Sequence, residues 1–138
     1  MPSLEIQVYN KGKESPDFLE AAHPRLFRTH VPYAVLPESV KKSDCKIVYI
    51  ARNPKDTLVS LWHFMNSVRN PKEGPFPIDV LFEGFCNGVH TFGPFFDHVL
   101  EYWKESVKNP EKILFIKYED MMKDCWVAPA EASDILSI

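Results

Sequence analysis

A chain of 138 residues with 45% hydrophobic and 25% charged residues has the make-up of one folded domain, which excludes a disordered or low-complexity protein. Its formal net charge of −3, with no basic tail, excludes a general binder of nucleic acid or of anionic membranes. No apolar run approaches the roughly 20 residues of a membrane-spanning helix, so a water-soluble domain is expected.

The first segment, "LEIQVY", is short and apolar, and "NKGKESPD" after it reads as loop. "PRLFRTHVPY" lies between Pro24 and Pro32, which permits a strand of about six residues but not a helix. "AVLPESVKKSD" predicts a turn and a short helix. "CKIVYIA" is the clearest strand, β-branched and nearly continuous in its apolar character, so burial on both faces is expected. A helix then starts with Asn53 as cap, Pro54 in the first position and Asp56 at the positive end. Leu58, Leu61, Trp62 and Met65 continue it at helical spacing. "NPKEGPFP" is loop, and "IDVLFEGFCNG" and "PFFDHVLEYWKESVKN" are two more helices, the latter starting at Pro94. "EKILFIKYED" predicts a second strand. This alternation predicts an α/β fold, a parallel sheet flanked by helices. The tail at about 125–138, "CWVAPAEASDILSI", has no persistent periodicity and diverges from the rest.

Cys45, Cys86 and Cys125 are odd in number and widely spaced, which suits neither a disulfide framework nor a C-x-x-C metal site. Met1 to Tyr9 lacks a signal-peptide pattern. A reducing compartment, the cytoplasm, is therefore expected. Charge is unevenly spread. Between Lys41 and Glu73, seven Lys or Arg stand against Asp44, Asp56 and Glu73, a local excess of +4 that leaves −7 for the remainder. A basic block at a strand-to-helix junction suits a small anion, although a solvated face is the blander alternative.

"YIARNPKDTLVSLWHF" holds that junction. In open parallel sheets, ligands bind where strand ends meet helix starts. Arg52 there offers a fork of donors suited to a phosphate, and Ser60 stands two turns into the helix. The alternative is an arginine paired with a nearby acid and a serine chosen for size.

The same residues resemble the cytosolic sulfotransferases. "IVYIARNPKDTLVSLWHF" is similar to that family's 3′-phosphate-binding segment, "PRLFRTHVPYAVLP" to its Thr-His-x-Pro strand, and "FGPFFDHVLEYWKES" and "ILFIKYEDM" to later segments in the same order. The wording is nearest the plant flavonoid and hormone members, and the likeness runs over about residues 2–124. It implies a three-layer, P-loop-like domain that transfers a sulfuryl group from 3′-phosphoadenosine 5′-phosphosulfate to the hydroxyl of a small acceptor. Flavonoid, steroid and related acceptors stay open. By motif, Arg52 and Ser60 hold the 3′-phosphate, Tyr118 lies against the adenine and His30 is the catalytic base. Arg28, Phe27 and Tyr33 are candidate sulfuryl or acceptor contacts, and Phe82 and Phe85 candidate pocket residues. His63 and His98 are expected on helix faces. The implied chemistry needs no metal.

Parts of the family pattern are not found. The phosphate loop Pro-Lys-x-Gly-Thr-Thr-Trp, the Arg-Lys-Gly segment and the dimerisation motif have no counterpart in the sequence. A single, incomplete sulfotransferase domain is expected, with apolar strand faces uncovered and no useful transfer by this chain alone. A non-catalytic nucleotide-binding or interaction protein is the alternative. A nucleotide kinase is disfavoured, because no G-x-x-x-x-G-K-S/T loop is present.

Overall fold

Two segments dense in β-branched and aromatic side chains, Ile47–Ala51 (β1) and Ile113–Lys117 (β2), form the strands of the computed structural model, which describes residues 3–4, 26–89 and 92–123. Helix α1 (Glu38–Lys42) precedes β1, and α2 (Pro54–Val68), α3 (Ile78–Cys86) and α4 (Phe95–Lys108) lie between the strands. Helix α5 (Tyr118–Lys123) follows β2. Most of "LEIQVY", the loop "NKGKESPD" and the tail from 125 lie outside the described residues.

The chain divides into two compact units, Met1–Val31 and Pro32–Ile138. In the first, Ser3 and Arg28 form an isolated parallel bridge, with the Leu4 N–H donating to the Arg28 carbonyl at 2.9 Å. The strand expected between Pro24 and Pro32 is thus reduced, over residues 26–31, to one bridge. Proline cannot extend a ladder at its far end, and Tyr33–Val35 has already turned into a 3₁₀ helix of the second unit.

In the second unit β1 and β2 pair in parallel, from Ile47 opposite Ile113 to Ala51 opposite Lys117. Parallel neighbours need a long crossover, which here is the three helices between them. Helix α4 packs on β2 and supplies the centre of the core. Tyr102 and Ile113 are each only 2% exposed. The Tyr102 ring stacks on Tyr49 at 4.2 Å between centroids, Tyr49 lies 5.3 Å from Phe115, and Tyr33 meets Tyr102 edge-on at 5.7 Å. Offset and edge contacts of this kind add to the burial of the rings themselves.

Helix α4 delivers the chain into β2 through a tight turn. The Asn109 N–H donates to the Glu105 carbonyl at 2.9 Å, and the Lys112 and Ile113 N–H groups both donate to the Asn109 carbonyl at 3.0 Å. The Lys112 ammonium then donates to the carbonyls of Val40 (3.0 Å), Lys41 (2.8 Å) and Ser43 at the end of α1. One lysine thus ties the helix before β1 to the entry of β2.

The expectation that β1 is buried on both faces needs correction. Its burial alternates, and Val48 and Ile50 are 37% and 50% exposed. Tyr49 faces the α4 aromatics, whereas Val48 and Ile50 point to the other side of the strand. Helix α4 likewise keeps an outward apolar stripe of Phe96, Leu100, Trp103 and Val107 at helical spacing. The second strand also ends earlier than its sequence suggests. Pairing stops at Lys117, and Tyr118 opens α5, whose first turn holds Glu119 and Asp120 where acids suit the positive helix end.

A pH effect follows from the aromatic cluster. The Tyr49 hydroxyl and His98 Nδ1 are hydrogen-bonded at 3.0 Å, and burial pushes the Tyr49 phenol from 10.0 up to about 12. Below the lower value the phenol is neutral in both folded and unfolded chains. Between the two values only the unfolded chain ionises, so stability is lost as pH rises through that window. Urea midpoints are expected to fall there in the wild type, and less so in Tyr49→Phe. An equal fall in the variant would assign the effect elsewhere.

Candidate functional site

The carboxyl ends of the two strands lie side by side because β1 and β2 are in register to their last residues. Each hands over directly to a helix. After Ala51 comes Arg52, then Asn53, whose side-chain oxygen accepts from the Lys55 N–H at 2.9 Å and so caps α2. Pro54 takes the first helical position and Asp56 the first turn, as the sequence predicts. The Asn53 carbonyl accepts from the Thr57 N–H at 2.9 Å and from the Thr57 hydroxyl at 3.0 Å.

After Lys117 come Tyr118 and Glu119 of α5. The Arg52 guanidinium carbon lies 5.0 Å from the centroid of the Tyr118 ring, within cation–π range. Glu119 Oε1 accepts the Asn53 N–H at 2.7 Å. That hydrogen bond is the main reason the Glu119 carboxyl is held below the usual carboxylate range, with the Arg52 charge a smaller contributor. Arg52 Nε is buried and has no hydrogen-bond partner among the described residues. A buried guanidinium N–H without an acceptor is costly. The arrangement therefore offers an arginine donor, a helix N-terminus and a flat ring within one small region. It suits an anion attached to a planar group.

The structure brings together Arg52 and Tyr118 from the predicted set. Ser60 is exposed on α2, seven residues after Asn53 and therefore on the same side of the helix. His30 is exposed and belongs to the first unit, beside Thr29, whose hydroxyl oxygen accepts the Val31 N–H at 3.2 Å. Phe27 and Arg28 belong to that unit too, Phe27 half-buried and Arg28 in the bridge to Ser3. Tyr33 packs on Tyr102 and has the Lys41 ammonium 5.6 Å from its ring centroid. Phe85 is only 6% exposed and lies in the core, 5.1 Å from the Phe95 ring. Phe82 is 56% exposed. His63 sits on α2 against Trp62, whereas the helix face carrying His98 turns inward to Tyr49. Sequence reasoning missed Glu119. No signal in the sequence marks it, because its partner is the backbone N–H of Asn53.

The Sulfotransferase domain family model matches residues 1–128. The chain belongs to the sulfotransferase family. It is 47% identical to Cytosolic sulfotransferase 12 of Arabidopsis thaliana over 138 residues, covering 99% of this chain and 41% of the relative. Among solved structures, an Arabidopsis thaliana protein assigned as a steroid sulphotransferase superimposes with a TM-score of 0.79 at 46% identity, over 98% of this chain and 44% of the other. A mouse sulfotransferase complexed with PAP gives a TM-score of 0.71 at 35% identity, over 88% of this chain and 43% of the other. This sulfotransferase chain thus spans about two-fifths of the length of the relatives it matches. No helix among its described residues is long and apolar enough to cross a membrane.

Proposed function

We propose that this chain carries the 3′-phosphate half of a sulfotransferase donor site. The whole protein would transfer a sulfuryl group from 3′-phosphoadenosine 5′-phosphosulfate to the hydroxyl of a small acceptor. The observation that carries this reading is the buried, partnerless Nε of Arg52 at the start of α2. A phosphate is the acceptor such a group lacks, and the helix end adds partial positive charge. Tyr118 offers a face for the adenine ring, and Ser60 a further donor on the same side of α2. PAP, adenosine 3′,5′-bisphosphate, in the solved mouse relative supports the same donor.

His30 takes the role of base. Its imidazole would accept the acceptor's hydroxyl proton as that oxygen bonds to sulfur. The sulfur–oxygen bond to the donor phosphate breaks in the same transfer. Proton transfer of this type typically contributes about 10²–10⁴-fold. Arg28, Phe27 and Tyr33 would meet the sulfuryl group or the acceptor, a flavonoid, steroid or related alcohol. A cytoplasmic location is supported by the relative's description as cytosolic and by the odd number of widely spaced cysteines.

Calorimetric titration of adenosine 3′,5′-bisphosphate into the purified chain tests the donor half directly. One saturable site with a dissociation constant on the order of micromolar is expected. A folded chain that shows no saturable heat would overturn the reading.

A further inference from the structure

Asn53 is held from three directions. Its side-chain oxygen accepts the Lys55 N–H, its carbonyl accepts two bonds from Thr57, and its N–H donates to Glu119 across the gap between the two strand ends. The first two grips are local to α2. Only the third ties the β1–α2 junction to the β2–α5 junction, and Tyr118, the ring under Arg52, is the residue next to Glu119 in α5.

A carboxylate near an arginine that is to receive a phosphate works against that anion by charge. Glu119 lies close enough to Arg52 to feel its charge, and Asp120 adds a second acid nearby. The benefit of a glutamate here is therefore geometric. We propose that Glu119 is a positioning residue for the donor site: its bond to the Asn53 N–H fixes the peptide that follows Arg52, so that the guanidinium is held over Tyr118 in the orientation that receives a phosphate. This rests on the donor-site reading above.

Replacing Glu119 in two ways separates geometry from charge. Glu119→Gln keeps an oxygen acceptor for the Asn53 N–H and removes the charge. Glu119→Ala removes both. Adenosine 3′,5′-bisphosphate and adenosine 5′-monophosphate are titrated into each full chain, while the Asn53 amide resonance and its hydrogen exchange are followed by NMR. Glu119→Ala is expected to weaken bisphosphate binding about 10-fold, the scale of one charge-assisted hydrogen bond. Monophosphate binding should be unchanged, with the Asn53 amide exchanging faster. Glu119→Gln should bind the bisphosphate as tightly as wild type or a few-fold more tightly, with Asn53 still protected. A generally loosened fold would weaken both nucleotides together, which contradicts the proposal. So would full bisphosphate affinity in Glu119→Ala, or a loss in Glu119→Gln equal to that in Glu119→Ala. A wild-type chain that protects Asn53 through Glu119 yet binds no bisphosphate would overturn the donor-site reading, and the positioning role with it.

Discussion

Tyr102→Ala is expected to destabilise the chain by about 3–5 kcal/mol, the range for truncating a large buried aromatic. The residue is 2% exposed and joins three elements: its ring stacks on Tyr49 of β1, meets Tyr33 of the 3₁₀ turn edge-on, and sits on α4. Removing it leaves a cavity lined by rings that cannot collapse onto one another, because each is tied elsewhere, Tyr49 to His98 for example. Single domains are stable by only about 5–15 kcal/mol, so a loss of this size shifts much of the population toward unfolded chains. Urea denaturation followed by circular dichroism checks it. A loss below about 1 kcal/mol would mean that the stack is not the centre of the core.

Arg52→Ala is expected to weaken adenosine 3′,5′-bisphosphate binding by about 10- to 100-fold, from the roughly 1.5–3 kcal/mol of hydrogen bonds to a charged group. Stability should change little, since the contact over Tyr118 is a half-exposed cation–π pair and such pairs contribute about 0.5–1 kcal/mol. The two readouts therefore part company in this variant, unlike in Tyr102→Ala. Arg52→Lys should recover part of the affinity as a point charge but not the fork of donors. Equal affinity in wild type and Arg52→Ala would remove the arginine from the site.

Much of this architecture is written locally. Asn53, Pro54 and Asp56 act within one turn, so the start of α2 follows from the sequence alone. The same is true of β1, where β-branched residues crowd together. The burial of β1 is a different matter. Its apolar run matches a strand covered on both sides, but coverage depends on elements distant in sequence, and Val48 and Ile50 remain exposed. The surface stripe of Phe96, Leu100, Trp103 and Val107 shows the same thing on α4. Tyr118 was misread as strand because nothing in "ILFIKYED" marks where pairing ends; the length of β1 decides it. For the site, the family motif gave Arg52 and Tyr118, which the structure brings within 5.0 Å. Glu119 escaped notice because its partner is a backbone N–H, which has no sequence signature.

The central claim is that the β1–α2 junction receives a 3′-phosphate through Arg52. Its most direct test is a four-way calorimetric cycle: adenosine 3′,5′-bisphosphate and adenosine 5′-monophosphate, each titrated into wild type and into Arg52→Ala. The predicted result is a preference of about 10-fold or more for the bisphosphate in wild type, which the substitution abolishes while leaving the monophosphate unaffected. A wild-type chain that binds both nucleotides equally, or a preference that survives in Arg52→Ala, would contradict it.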